Sequence, residues 1–171
     1  MNKTILTQVE LKRQLSYDSE TGVFVRLVSN TNAVKVGEVS GSLSHGYLRV
    51  MVNSIAYEAH RLAWFYAYGE WVEMIDHING IKHDNRLCNL RSANYLNNNR
   101  NAGMRKDNAS GYKGVSYRKD IGKWRAQYNY NKKRTHLGFF DTALEASLVY
   151  ERYAKLHYGD FHREVAPIVD N

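Results

Sequence analysis

The sequence has 171 residues, of which 43% are hydrophobic, and its formal net charge is +7. This length suits one mid-sized domain or two small ones, and the apolar fraction is sufficient for a packed core. No run of about 18 apolar residues exists, which excludes a membrane-spanning helix. The single cysteine, Cys88, excludes an intrachain disulfide and a zinc site built from several cysteines.

The positive charge is concentrated in the second half of the chain. Residues 1–98 hold ten Lys and Arg against nine Asp and Glu, whereas residues 99–171 hold fourteen against eight. Such an excess on one segment favours a polyanionic partner, usually nucleic acid, and the alternative is a solvated surface without a partner. The first residues lack an apolar signal segment, so we expect an intracellular, soluble protein.

Short elements are predicted at the start of the chain. Thr7 followed by Glu10 is a capping-box pattern, which predicts a helix through about Leu15. Residues 23–25 begin a predicted strand after a turn. Residues 29–45 are rich in Ser, Asn, Gly and Val and are predicted to be loop with short strands.

A β-hairpin and a helix are predicted next. Residues 47–52 and 55–59 have strand patterns and flank Asn53-Ser54, which suits a tight turn. Residues 60–68 show apolar side chains at helical spacing, and Gly69 can end this helix.

Residues 75–99 combine a compact fold with many polar side chains. A short strand at 75–78, a turn at Asn79-Gly80, a polar loop at 82–85 and a second short strand are predicted. Ser92 is predicted to cap a short helix that runs to about Asn99. A segment with a purely structural role would not need so many polar residues together. In this segment they are Asp76, His77, Asn85, Asn89, Asn94 and Asn98.

A second unit is predicted after an Asn-rich linker of low hydrophobicity. Three strands, at 114–118, 123–130 and 134–139, are expected, with a hairpin turn at Asn131-Lys132. Alternation in the middle strand places its apolar side chains on one face and its polar ones on the other. The apolar set is Trp124, Ala126, Tyr128 and Tyr130; the polar set is Lys123, Arg125, Gln127 and Asn129.

A final helix is predicted to cover the apolar face of this sheet. Thr142 and Glu145 form another capping-box pattern. The predicted buried stripe of the helix is Ala146, Val149, Tyr150, Tyr153 and Leu156. The fold class is therefore α+β, and the open face of the small three-stranded antiparallel sheet is basic.

These segments resemble two known families. Residues 75–98, with His60-Arg61 upstream, resemble phage HNH endonucleases of the homing type through the strings IDHING (75–80), DNR (84–86), NLR (89–91) and Asn98. Residues 111–161 resemble the APETALA2/ethylene-response-factor DNA-binding domain through GYKGV (111–115), KWRA (123–126), LGFF (137–140) and the helix that follows. The resemblance implies a ββα-metal nuclease domain with an N-terminal extension over 1–98, a linker over 99–110 and a DNA-binding domain over 111–163.

The resemblance also implies a catalytic arrangement. His77 acts as the general base, for which a neutral imidazole is suited near pH 7. Asn89 orients His77 by accepting a hydrogen bond from its Nδ1–H. Asp76 and Asn98 bind one divalent cation, for which oxygen ligands favour Mg²⁺ or Mn²⁺. An Asn stands where the family name has its final His, so Asn94 and Asn97 remain alternatives to Asn98.

The implied function is a DNA endonuclease that its C-terminal domain directs to double-stranded DNA in the cytoplasm of a bacterium that harbours the phage. One active site per chain favours nicking, whereas a dimer could cut both strands. The alternatives are a non-cleaving DNA-binding regulator and an RNA-binding factor. The candidate DNA contacts are Arg61, Lys113, Arg118, Lys119, Lys123, Arg125, Gln127, Lys132, Lys133 and Arg134.

Overall fold

The computed structural model describes residues 6–29, 35–104, 107–130 and 133–163, and the chain divides into two compact units, 1–94 and 95–171. The predicted turn at Asn131-Lys132 lies outside the described residues. Among the described residues, no helix combines the length and the apolarity needed to cross a bilayer.

Within its described residues, the first unit contains two α-helices and seven short strands. Their bounds are α1 (Gln8–Gln14), β1 (Leu15–Tyr17), β2 (Phe24–Arg26), β3 (Ser42–Ser44), β4 (Tyr47–Val52), β5 (Ile55–Glu58), α2 (Ala59–Tyr68), β6 (Met74–His77) and β7 (Leu90–Ala93). Strands β1 and β2, β3 to β5, and β6 and β7 form three separate antiparallel sheets.

Local chemistry explains why these elements begin and end where they do. The hydroxyl of Thr7 accepts a hydrogen bond from the backbone N–H of Glu10, which caps α1 as predicted. Asn53 and Ser54 have φ angles of 50° and 62°, so the predicted β4–β5 hairpin closes through a turn with two left-handed residues. Gly69, with φ of 74°, ends α2 as predicted.

The core of the first unit draws on its whole length. The N-terminal residues contribute four of its twelve buried apolar side chains, because α1 and the β1–β2 hairpin bury large apolar residues. The buried apolar residues are Leu6, Leu11, Leu15, Phe24, Val50, Val52, Ala59, Leu62, Ala63, Phe65, Ile75 and Leu90. Residues 6–26 therefore complete the fold that carries the candidate nuclease site.

The boundary region differs from the prediction in one respect. Ser92 does not cap a helix; it lies in β7, where it pairs with Ile75. The helix that follows, α3, spans Tyr95–Asn101 and is grouped with the second unit. Toward the end of the predicted linker, the side chain of Asn108 donates to the carbonyl of Tyr112 at 2.8 Å, so this part of the chain forms a hydrogen-bonded turn.

The second unit is a three-stranded sheet with a helix packed on one face. Strands β8 (Val115–Arg118), β9 (Lys123–Tyr130) and β10 (Lys133–Phe140) form an antiparallel sheet with β9 in the middle, and α4 spans Ala143–Tyr158. The capping box of Thr142 and Glu145 begins α4, as predicted. The predicted apolar face of β9 packs on α4, since Ala126 and Tyr128 are buried with residues of that helix.

The buried stripe of α4 differs from the predicted one. Tyr153 and Leu156 are 41% and 76% exposed, and the buried helix residues are Ala146, Ser147, Tyr150, Ala154 and Tyr158. Compared with the predicted orientation, α4 is rotated about its axis so that Ala146 and Ala154 face the sheet. Their small side chains allow the helix to lie close to the strands. Tyr150 fits beside Gly114, where a Cβ atom would lie only 2.2 Å from the tyrosine ring.

Candidate active site and nucleic-acid interface

The β6–β7 hairpin brings the predicted catalytic residues of the first unit together. Strand β6 ends with Asp76 and His77, which pair with Arg91 and Leu90 of β7. Asp76, His77 and Asn89 are 4%, 6% and 6% exposed. Asn85, in the loop between the two strands, is 2% exposed. Four polar side chains buried in so short a segment need hydrogen-bond partners, which the protein or a ligand must supply.

The His77 imidazole is held through its Nε2 atom. This nitrogen lies 3.4 Å from Oδ1 of Asn85, and Nδ2 of Asn85 donates to the carbonyl of His83 at 3.2 Å. Because a carbonyl only accepts hydrogen bonds, the Asn85 amide must direct its oxygen toward His77. In a neutral ring Nε2 then carries the proton, and Nδ1 is the basic nitrogen.

Burial keeps His77 neutral. Loss of hydration lowers the pKa of His77 below its ordinary value, against the opposing effects of Asn85 and of nearby carboxylates. A neutral imidazole is the form that can take a proton from water.

Asp76 forms a buried ion pair with Arg91. Nε and Nη2 of Arg91 donate to Oδ2 of Asp76 at 2.9 and 2.6 Å. The side chains of the two residues are 5% and 15% exposed, so water screens their attraction only weakly. This pairing fixes the position of the Asp76 carboxylate within the hairpin, and carboxylate oxygens are suitable ligands for a hard cation.

Asn89 organises the loop between the two strands. Its Oδ1 accepts from the backbone N–H of Asn79 at 3.0 Å, and its Nδ2 donates to Oδ1 of Asn79 and to the carbonyl of Asp84. The predicted hydrogen bond from Nδ1 of His77 is not among the contacts of Asn89 in the described residues. Asn85 contacts the ring instead, a role that the sequence pattern did not indicate for this amide.

His60 lies against His77, which the sequence alone did not indicate. The two ring centroids are 4.9 Å apart in an edge-to-face arrangement. Burial lowers the pKa of His60 to about 3, and its Nδ1 has no hydrogen-bond partner among the described residues. Tyr47 completes the aromatic wall, with its ring 5.4 Å from that of His60 and 6.2 Å from that of His77.

Arg61, the predicted DNA contact of the first unit, is engaged within the protein. Its guanidinium donates to the carbonyls of Val72 and Glu73 at 3.1 and 3.3 Å and lies over the ring of Trp71. These contacts bind the first turn of α2 to the segment that leads into β6.

The residue types at the hairpin fit a hard divalent cation. Among the described residues, no three His, Cys, Asp or Glu side chains converge on one point where a metal ion could bind. A cation at Asp76 would therefore rely on amide oxygens and water for its other ligands, as Mg²⁺ often does. Asn94 follows β7, and Asn97 and Asn98 lie in α3 of the second unit, so the identity of the second ligand stays a prediction.

The open face of the second sheet is defined by cross-strand pairs, since directly opposed residues point to the same side. Arg125 opposes Ser116 and Phe139, Lys123 opposes Arg118, Asn129 opposes Arg134, and Gln127 opposes His136. We call this set the basic face. It contains five of the ten predicted DNA contacts and adds His136 and Phe139, whose rings are 4.5 Å apart.

Acidic partners at one end of the basic face leave the other end more positive. Arg118 is paired with Asp120 at 2.6 Å, and Lys123 is paired with Asp141. At the other end, Lys133 and Arg134 are exposed on β10. Lys119 is exposed directly after β8, at the same end as Arg118. Lys132 lies outside the described residues.

Lys113 is positioned differently from the other predicted DNA contacts. Its Nζ donates to the carbonyl of Ala102 at 2.6 Å, and burial lowers its pKa to about 8. Lys113 therefore binds the segment after α3 to the sheet unit.

Comparison with protein-family models found two matches. Residues 57–100 match the HNH endonuclease model, and residues 110–159 match the AP2 domain model. Neither a curated protein nor a solved structure matched the chain. The chain therefore contains an HNH endonuclease domain, which supports a nuclease that hydrolyses phosphodiester bonds, followed by an AP2 domain, which supports DNA binding.

Proposed function

We propose that this protein is a metal-dependent DNA endonuclease of the homing type, in which His77 is the general base and the AP2 domain directs the enzyme to its site on double-stranded DNA. The observation that supports this most directly is the His77 imidazole, which is buried, neutral and held at Nε2 within the region that matches HNH endonucleases.

Each part of the hairpin has a role in this reaction. Nδ1 of His77 takes a proton from the attacking water, because the other ring nitrogen donates to Asn85. Arg91 orients the carboxylate of Asp76 through two hydrogen bonds to its Oδ2. A divalent cation, which HNH nucleases generally use, would be held by Asp76 and would supply positive charge to the phosphate and the leaving oxygen.

The basic face of the second unit supports the targeting role. A short sheet can enter the major groove, where Arg recognises guanine and Gln recognises adenine, while other cations contact phosphates. Arg125 and Gln127 lie at the centre of the face, and Arg134 lies toward its edge. The resemblance to phage enzymes supports a site of action in the bacterial cytoplasm.

Cleavage of supercoiled plasmid in the presence of Mg²⁺ or Mn²⁺ tests the proposal. We expect the unaltered protein to produce nicked or linear DNA and His77→Ala to produce neither. His83→Ala is the matched control, since His83 is an exposed histidine of the same loop, and its carbonyl, which Asn85 uses, is unchanged.

Two other outcomes would contradict the proposal. Retarded but uncut DNA with both metals, on a substrate that contains a bound site, would favour the non-cleaving regulator. Equal cleavage by His77→Ala and the unaltered protein would remove His77 from the mechanism. Since the active site is single in each chain, nicked circles are the expected first product, and the order in which nicked and linear DNA appear distinguishes one cut from two.

A further inference from the structure

The N-terminal β1–β2 hairpin contacts the loop between β6 and β7 (residues 78–89, here called the catalytic loop). The hairpin lies outside the region that matches HNH endonucleases. The hydroxyl of Tyr17, in β1, donates to the carbonyl of Asn85 at 2.7 Å. The backbone N–H of Leu87 donates to the carbonyl of Ser19 at 3.0 Å. Two hydrogen bonds thus hold the backbone on either side of Arg86.

The turn of this hairpin also closes directly on the same peptide. Gly22 has φ of 75°, and a Cβ atom there would lie 2.5 Å from the carbonyl carbon of Asn85 and 2.6 Å from the nitrogen of Arg86. No side chain fits at such a distance from backbone atoms, so the hairpin and the catalytic loop are in close contact.

Asn85, whose backbone the hairpin contacts, is also the residue whose side chain contacts His77. Asn85 is 2% exposed, and its Oδ1 faces Nε2 of His77. The other amide atom of Asn85, Nδ2, donates a hydrogen bond to the carbonyl of His83. An error in the position of the Asn85 backbone would therefore be transmitted to the imidazole, because the amide has no freedom to compensate.

We propose that Tyr17 and Asn85 are positioning residues for His77, and that the β1–β2 hairpin (residues 15–26) is a functional part of the nuclease site. Asn85 selects the tautomer in which Nδ1 is the basic nitrogen, and Tyr17 holds Asn85 in place. This inference rests on the proposed role of His77 as the base.

The environment of Tyr17 keeps its hydroxyl protonated, so that it can always donate the hydrogen bond to Asn85. Its ring packs against Phe24 and Tyr66, with centroids 4.7 and 5.6 Å away. Burial raises the pKa of Tyr17, so the hydroxyl keeps its proton throughout the range in which the enzyme can work.

The test uses the full chain and compares two pairs of variants. Asn85→Leu removes the acceptor for His77 at similar volume, and Asn85→Asp keeps an oxygen there. Tyr17→Phe removes one hydroxyl, and Tyr66→Phe is its matched control, because Tyr66 packs on the same ring and no hydrogen bond of its hydroxyl is found in the described residues. The measurements are kcat and KM for plasmid cleavage, and the ¹⁵N imidazole shifts of His77, which report its tautomer.

We expect Asn85→Leu to lower kcat by about 10- to 100-fold with little change in KM, as for other side chains that orient an active-site imidazole. Asn85→Asp should recover part of this loss, because it restores an acceptor for Nε2 of His77 but not the donor to the carbonyl of His83. Tyr17→Phe should lower kcat about fivefold, the equivalent of one hydrogen bond, while Tyr66→Phe should have no effect. The ¹⁵N shifts should show a single tautomer in the unaltered protein and a mixture in Asn85→Leu.

An Asn85→Leu variant with the unaltered tautomer and kcat within twofold of the unaltered enzyme would overturn the proposal. If that variant fails to fold, Tyr17→Phe decides, since its ring packing is intact: equal kcat and an unchanged spectrum would be equally decisive. The spectrum also separates this inference from the proposed function. If Asn85→Leu lost the single tautomer but cleaved DNA normally, the contact between Asn85 and His77 would be correct and the assignment of His77 as the base would be wrong.

Discussion

Replacing Arg91 with Met should destabilise the first unit strongly. Asp76 is 4% exposed, and two N–H groups of Arg91 donate to its Oδ2 at 2.9 and 2.6 Å. Removing one partner of a buried pair leaves a charge with much less compensation, at a cost of about 3–5 kcal/mol. For a unit of this size, such a loss lowers the melting temperature by at least about 12 °C.

A double-mutant cycle isolates the ion pair. Asp76→Asn in the Arg91→Met background removes the buried charge as well, so we expect the double variant to recover much of the lost stability. Urea unfolding followed by tryptophan fluorescence is the assay. A Trp124→Phe background confines the signal to Trp64 and Trp71, which both lie in the first unit.

The same variants examine the cation site without an activity measurement. A cation at Asp76 would partly replace the missing guanidinium, so Mg²⁺ should stabilise Arg91→Met more than the unaltered protein, and it should not stabilise the double variant. A cost below about 0.5 kcal/mol for Arg91→Met, the value typical of an exposed pair, would refute the buried ion pair as the source of stability.

Three further predictions concern other parts of the chain. The pKa of His60 is lowered from 6.5 to about 3, so its contribution to stability is complete above pH 6.5 and is lost as pH falls toward 3, at about 1.4 kcal/mol per pH unit. His60→Phe should therefore reduce the dependence of the unfolding free energy on pH, measured by urea unfolding between pH 7 and 5. An unchanged dependence would contradict the lowered pKa. Gly114→Ala should destabilise the second unit by about 2 kcal/mol or more, because φ is 74° and the new Cβ would lie 2.2 Å from the Tyr150 ring; a melting temperature equal to that of the unaltered protein would disprove the packing. Replacing both Lys133 and Arg134 with Ala should weaken binding to all DNA sequences. The slope of log K against log salt should become less negative by about 0.9 for each phosphate that the protein no longer neutralises. Lys35→Ala is the surface control, and a slope equal to that of the control would exclude a role for Lys133 and Arg134 in phosphate binding.

Most secondary structure followed from local patterns. The capping residues Thr7 and Thr142, the left-handed turn at Asn53-Ser54 and the alternation in β9 were all interpreted correctly, because each depends on neighbours in the sequence. Ser92 was assigned wrongly, since a Ser before a helix-like segment is equally compatible with the end of a strand, and its pairing with Ile75 is a contact between distant residues.

The candidate site was predictable in its residue types but not in its contacts. Asp76 and His77 were identified from their pattern, and the structure places both in the buried hairpin. The partners Arg91, Asn85 and His60 could not be assigned, because strand register, loop closure and the packing of α2 determine them.

The sequence by itself determined that this chain has an HNH-type segment followed by a basic, sheet-forming segment, because motifs, charge and periodicity are properties of the order of residues. Only the tertiary structure decided which nitrogen of His77 faces Asn85, which face of α4 is buried, and that Tyr17 supports Asn85 across 68 positions of sequence. A hydrogen bond depends on distance and angle, and for residues so far apart in the chain both are determined by the packing of the whole unit.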